Sequence, residues 1–441
     1  MEFAKYVFLG GLAVTACSSS PKNGAGVDSG ASADGSAAND ASSDGSTAAD
    51  AGPDATGDGS TATADASDDG GACAVGSKLQ HSNPIVSRGK LTFSSPTGGD
   101  AVVDGTYHNG GWSAGMPTTA APSWVAIELG AGPTRVLVSW DDGGTYNYYE
   151  PTMPTSCAAD GTGCVYGLAA GYHIDVSADS TNGVDGTWTT KVTIADNVYR
   201  TRAHSFDFTG MAWVKMVITA APPNISSNGV QIGEIDVHDV STAGSCLPED
   251  TWFFMGDSVT AFAYDRADAH QPSFAAGIHS ASPDYFPAMI NGGIGGELSK
   301  DGLARLKKAL ADNPDYRFFA LSYGTNDSAN DQTPAATYKT NMQSMIQMVQ
   351  AAGRIPVIPH IPYSGDGMHA GIPSYNAAID ALVQGDGLMP GPDFYSYFMN
   401  DTSLFTCGCS GGRMTDNLHP NDQGLAGMNA LWTTAMRSLY P

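Results

Sequence analysis

Gly256-Asp257-Ser258 follows the apolar run Trp252-Phe253-Phe254-Met255. A serine that leaves a buried strand at a Gly/Asp turn projects from the end of a sheet, where open α/β folds carry their reactive groups. A lone serine hydroxyl is a weak nucleophile. It needs a base, a group that orients the base, and donors for the oxyanion formed on attack. Candidates follow in workable order: Asn291-Gly292-Gly293-Ile294-Gly295-Gly296-Glu297, then Gly324-Thr325-Asn326-Asp327, then Asp416-Asn417-Leu418-His419-Pro420. The separation of Asp416 from His419 lets one turn bring both side chains to one side. Together these residue types support acyl transfer through a serine.

The elements that must hold them change period along the chain. Leu298 to Leu310 is amphipathic, with Leu298, Leu303, Leu306 and Leu310 on one side. Arg317 to Ser322 reads as a strand, and Pro334 to Ala352 as a helix ended by Gly353. Met342, Met345, Ile346 and Val349 fall at helical spacing and read as core packing, not a metal site. Ile355 to Pro359 is another buried strand, and helices are expected near 373–384 and 422–438. Alternating β and α predicts a parallel sheet with helices on both faces.

The order and setting of the four motifs resemble the SGNH (GDSL) hydrolase family of esterases and lipases, across 250–438. The resemblance implies a three-layer α/β/α domain over 247–441. It makes Ser258 the nucleophile, His419 the general base and Asp416 the orienter of its imidazole. The Ser258 N–H, the Gly296 N–H and the Asn326 side-chain amide become the oxyanion hole. Loss of one such donor typically costs ~10²–10³ in rate. Gly296 is preferred because Glu297 to Leu306 matches the helix after the family's glycine; Gly293 and Gly295 stay open. Asp257 is expected to hydrogen-bond the turn and Asp327 to serve as a turn or cap residue. His360 is expected to be packed or solvated near a sheet end, and His369 to lie on a rim. No cofactor and no metal are expected: there is no His-Glu-x-x-His and no paired Cys-x-x-Cys. Gly292 to Gly296 lacks the Lys-Ser/Thr of a phosphate-binding loop.

The net charge of −25 is uneven, because residues 18–72 carry ten of the aspartates against Lys22 alone. An acidic balance disfavours nucleic acid and anionic membrane surfaces as partners. That tract is Ala, Ser, Gly, Asp and Thr with almost no large apolar side chain, so it reads as a disordered tether. Before it, Lys5, the apolar run 6–13 and Val14-Thr15-Ala16-Cys17 resemble a bacterial lipoprotein signal, residues 1–17. The resemblance implies lipidation of Cys17 and a membrane partner through that anchor. It also implies export to the cell envelope, at the outer membrane or cell surface. The six other cysteines of an exported chain suggest disulfides. Cys73 and Cys246 bracket one domain, Cys157 and Cys164 flank a small loop, and Cys407-Gly-Cys409 is left over; the connectivity stays open.

Residues 73–246 read as all-β. Alternating runs recur at 124–129, 135–140, 172–176, 190–194, 213–218 and 230–237, separated by Gly, Asn, Asp and Pro clusters. Val103-Asp104-Gly105…Trp112, Trp124 to Gly130 and Ile232 to Val237 resemble the discoidin-like (factor 5/8 type C, galactose-binding-like) family. That implies a jelly-roll sandwich with glycan-binding loops, for which Tyr107 and Trp112, and also Tyr146, Tyr148 and Tyr149, are candidates. Gly111-Trp112-Ser113-Ala114-Gly115 matches a nucleophile elbow, but the following Met116-Pro117 to Pro122 cannot start the helix that motif requires. The combined expectation is an esterase acting on an O-acetylated polysaccharide. A lipase or acyl esterase and a catalytically silent glycan-binding protein are the alternatives.

Overall fold

Runs between residues 92 and 239 become β-strands. In chain order these are β1 (Thr92–Ser95), β2 (Trp112–Gly115), β3 (Ser123–Glu128), β4 (Arg135–Asp141), β5 (Val165–Gly167) and β6 (Gly171–Ser177). They continue with β7 (Trp188–Ile194), β8 (Thr201–Asp207), β9 (Trp213–Ala220), β10 (Ile225–Ile232) and β11 (Glu234–Asp239). The structure, a computed structural model, describes residues 78–107, 111–142, 165–264, 272–405 and 417–441. The tether, Cys17, Cys73, Cys157, Cys164, Cys407, Cys409, Tyr146, Tyr148, Tyr149 and Asp416 lie outside the described residues. Cys246 is disulfide-bonded.

The strands form sheets β1-β3-β9-β6-β7, β2-β10-β5 and β11-β4-β8, antiparallel apart from the β10–β5 pair. Val125, Ile127, Val136, Val138, Ile174, Val176, Val214 and Met216 meet in one core, consistent with a β-sandwich. The run expected at 230–237 is two strands. Val230 and Ile232 face that core, and so do Ile235 and Val237. The inward parity therefore flips at Gly233, whose N–H donates to the Asp141 carbonyl while the chain changes sheet.

One expectation for this region is corrected. Trp112 is 1% exposed in the core and its indole N–H donates to Pro96 O at 2.8 Å, so it presents no ring to a glycan. Tyr107 is half-buried. Its hydroxyl is held by Arg88 and Asp236 at 2.6 Å each, and the Arg88 guanidinium lies over its ring. Ser113, in the elbow-like stretch, lies within β2, with no helix after it.

The C-terminal part is a parallel sheet of β12 (Thr251–Gly256), β13 (Ala288–Gly293), β14 (Phe318–Ser322) and β15 (Ile355–Val357), in the order β13-β12-β14-β15. The helices are α1 (Ser258–Ala263), α2 (Phe274–Ala281), α3 (Ser299–Asp312), α4 (Thr325–Ser328), α5 (Ala335–Ala351), α6 (Ile372–Gly385), α7 (Phe394–Asn400) and α8 (Asp422–Met436). Both sheet faces are covered, which is why the strands read as continuous apolar runs. Trp252, Phe254, Phe318 and Ala320 pack on the α1, α2 and α8 side. Phe253, Met255, Phe319 and Leu321 pack on the α3, α5 and α6 side. Register puts Trp252 beside Phe318 and Phe253 beside Phe319, and the rings stack at 4.2 Å and 5.1 Å. Sandwich residues Leu137, Ala203 and Val240 belong to this second core, and β8 packs against the edge strand β13.

Candidate active site

The site lies where β12, β13 and β14 end. A Cβ at position 256 would come within 2.2 Å of Thr260 Oγ1 and 2.5 Å of Ser322 O, so the turn after β12 is closed to any residue but glycine. Asp257 caps α1 by accepting from the Val259 N–H at 3.0 Å. Its burial pushes the carboxyl up to about 6, opposed by the Val259 N–H and by Thr325. Asp257 thus fastens the turn, and Ser258 is the first residue of α1, half-buried at the surface.

Ser258 Oγ lies 2.8 Å from His419 Nε2. In the imidazole tautomer protonated at Nδ1, Nε2 accepts the serine proton. The His419 ring packs edge-on against Phe262, with centroids 5.4 Å apart. Its loop is fixed on both sides. Asn417, at φ 55°, offers its carbonyl to Ser364 Oγ and the Gly365 N–H, both at 3.1 Å. Asn421 caps α8 by accepting from the Gly424 N–H at 3.0 Å.

The loop after β13 brings the expected donors close to one another. Gly296 is exposed at φ 79°, a conformation that only glycine adopts without cost. The Gly293 N–H is taken by Asn291 Oδ1 at 3.0 Å. Asn326, in α4, donates one amide hydrogen to the Glu297 carbonyl at 2.9 Å, which leaves its second N–H for a ligand. Ser258, His419, Gly296 and Asn326 therefore stand on segments joined by direct hydrogen bonds or adjacent strand ends. Asp416 lies outside the described residues.

The remaining candidates behave differently. Asp327 is not a local cap. It is fully buried and accepts from the Ser299 N–H at 2.9 Å and Ser299 Oγ at 2.6 Å, so it anchors the start of α3 from across the sheet end. His360 bridges Asp380 on α6 (2.9 Å) and Asp393 at the start of α7 (3.0 Å). Although its burial works against the charge, these two carboxylates raise its pKa above the usual value. His369 is buried and paired with Asp366, rather than standing at a rim. Among the described residues no group of three or more His, Cys, Asp or Glu is placed to hold a metal ion.

One supporting network has no signature in the sequence. Arg305 on α3 donates to both Glu297 carboxylate oxygens, to the Gly292 carbonyl at 2.7 Å and to Tyr323 Oη at 2.9 Å. Tyr323 Oη in turn donates to Glu297 at 2.9 Å. This ties both ends of the 292–297 loop to one guanidinium. Removing one partner of a buried, hydrogen-bonded pair is strongly destabilising. Arg305→Met is expected to cost roughly 3 kcal/mol, lowering Tm by about 4 °C, with a fall in kcat as the loop loosens. Thermal melting beside steady-state kinetics checks this, and a variant melting with the parent refutes it.

Residues 254–426 match the GDSL-like Lipase/Acylhydrolase family. This segment is a GDSL/SGNH hydrolase domain, and its class of activity is carboxylic ester hydrolysis. Similar solved structures include a lipase/acylhydrolase from Enterococcus faecalis, at 21% identity over 42% of this chain and 95% of that one, with a TM-score of 0.35. Another is a putative lipolytic protein of the G-D-S-L family from Desulfitobacterium hafniense, at 15% identity, 42% and 99% coverage, TM-score 0.33. An acetylxylan esterase from Geobacillus stearothermophilus is similar at 15% identity, 43% and 94% coverage, TM-score 0.33. No curated protein sequence matches this chain.

Proposed function

We propose that this hydrolase domain removes O-acetyl groups from a polysaccharide by two-step acyl transfer through Ser258. The observation that carries the reading is the 2.8 Å contact of Ser258 Oγ with His419 Nε2, beside Gly296 and an Asn326 amide with one N–H to spare. Ser258 Oγ attacks the ester carbonyl while His419 Nε2 takes its proton. The oxyanion forms against the Ser258 and Gly296 N–H groups and the Asn326 amide. Collapse breaks the C–O bond to the sugar, and His419 returns its proton to that oxygen, leaving an acyl-enzyme. Water, deprotonated by His419, then attacks the acyl carbon. Acetate leaves and Ser258 regains its proton. Asp416 is assigned to hold His419 Nδ1.

The resemblance of the β-rich region to galactose-binding-like domains supports a polymeric substrate over a small free ester. A lipidated Cys17 and the tether 18–72 would hold the enzyme at the cell surface, where such polymers are met. The test is acetate release from a panel of acetylated polysaccharides, beside nitrophenyl esters of short and long acids. Acetyl esters are expected to turn over faster than longer acyl esters, with acetate released from at least one polysaccharide. Faster cleavage of long-chain esters would overturn this reading in favour of a lipase.

A further inference from the structure

A pocket of about 250 Å³ opens beside the loop that carries His419, and nothing in the acyl-transfer machinery uses it. Its walls include Tyr363, Ser364, Gly365, His369, Ile372 and Tyr395. Ser364 and Gly365 are the residues bonded to the Asn417 carbonyl, so one wall is attached to the segment that positions His419. Tyr363 and Tyr395 meet edge to face with centroids 5.8 Å apart. His369 is 3% exposed, and both Asp366 carboxylate oxygens lie 2.8 Å from its Nδ1. In the neutral imidazole the Nδ1–H donates to Asp366, which leaves Nε2 as an acceptor. Nε2 makes no hydrogen bond among the described residues. The imidazole, oriented by a carboxylate, leaves its second nitrogen able to accept a hydrogen bond at the pocket.

We propose that this pocket binds a neutral pyranose ring, either the ring that bears the scissile ester or its neighbour in the chain. A pyranose has apolar C–H faces and hydroxyl edges. The two tyrosine rings match the faces, and His369 Nε2 with Ser364 Oγ matches the edges. Among the described lining residues none is Lys or Arg, so none of them offers a counter-ion to a uronic acid or a phosphorylated sugar. The pocket thereby selects the alcohol half of the ester, whereas Ser258 and the oxyanion donors act on the acyl half.

This inference rests on the proposed polysaccharide reading, and the test keeps the two apart. The full chain and its His369→Leu and His369→Gln variants are assayed on acetylated neutral oligosaccharides and on p-nitrophenyl acetate. Inhibition of p-nitrophenyl acetate hydrolysis by the deacetylated oligosaccharides is measured alongside. His369→Leu is expected to lower the ratio of the two kcat/KM values, oligosaccharide over aryl acetate, by about tenfold or more, mainly through KM. It is expected to weaken the inhibition by a similar factor. His369→Gln, which keeps a hydrogen-bonding side chain, is expected to recover part of both. An unchanged ratio and unchanged inhibition would overturn the proposal. So would an equal fall on both substrates with a lowered Tm, which would make the His369–Asp366 pair only a brace for the His419 loop. If the parent cleaves no acetylated glycan, the substrate reading falls. The pocket assignment then stands or falls on whether free oligosaccharides inhibit.

Discussion

Ser258→Ala is expected to lower kcat on p-nitrophenyl acetate by about 10⁴-fold or more, with Tm within a degree or two of the parent. The rate follows from the chemistry. His419 Nε2 lies 2.8 Å from the hydroxyl it would deprotonate, and alanine leaves it no nucleophile but water. Ester cleavage would then rest on the oxyanion donors and binding alone, which in serine hydrolases leaves only a small residual rate. The unchanged stability follows from the burial. Ser258 is half-buried at the first position of α1, so losing its Oγ opens no deep cavity. His419 is half-exposed and can bond water instead. Surface changes of this kind stay within about ±0.5 kcal/mol. A variant retaining a tenth of parental activity would refute the nucleophile assignment. A variant that lost activity together with its melting transition would show misfolding instead.

What could be read from the chain follows from which interactions are local in pattern. The hydrolase sheet was legible because both its faces are buried. Trp252-Phe253-Phe254-Met255 divides strictly between the two cores, and such a strand can only be a continuous apolar run. Ser258 and His419 were legible as types with flanking residues, though they stand 161 residues apart. The supports of the site were not. Glu297, Arg305 and Tyr323 meet through tertiary placement, and nothing marks Arg305 apart from Lys307 and Lys308 on the same helix. Asp327 looked like a local cap because its bond to Ser299 crosses between two elements. Trp112 looked like a sugar platform because an aromatic near a loop has the same letters whether it points in or out. One missed signal was present in β4. Val136 and Val138 face the sandwich core while Leu137 faces the hydrolase. The unbroken Val136-Leu137-Val138 already departs from the alternation of a strand with one face in water.

That second buried face carries the other large expected effect: residues 247–441 expressed alone are expected to aggregate, or to bind a hydrophobic dye without a cooperative melt, whereas 78–441 folds. Leu137, Ala203 and Val240 are 2% exposed or less, and they lie in the same cluster as Phe253, Ile290, Leu306 and Tyr316. Tyr199 packs its edge on Phe253 with centroids 6.2 Å apart. On the other face of the sheet Leu79 joins the α8 core, and its N–H donates to the Leu439 carbonyl at 2.7 Å. Polar contacts follow the same seam. Glu249 accepts from the Gln80 and His81 N–H groups, Asn83 exchanges two hydrogen bonds with Phe286, and Arg202 donates to the Asp312 carbonyl. A fully buried Leu or Val is worth about 1.5–3 kcal/mol. Uncovering this seam therefore removes several kcal/mol, of the order of the 5–15 kcal/mol that stabilises a typical domain. It would also expose β13 as an open sheet edge, which favours pairing between chains. A tethered carbohydrate-binding module would predict the opposite, a hydrolase domain that melts and turns over normally once cut free. A soluble, cooperatively folded 247–441 fragment with parental kcat would establish that alternative. An insoluble one would mean that the sandwich and the hydrolase domain form one folding unit, held together by the buried seam.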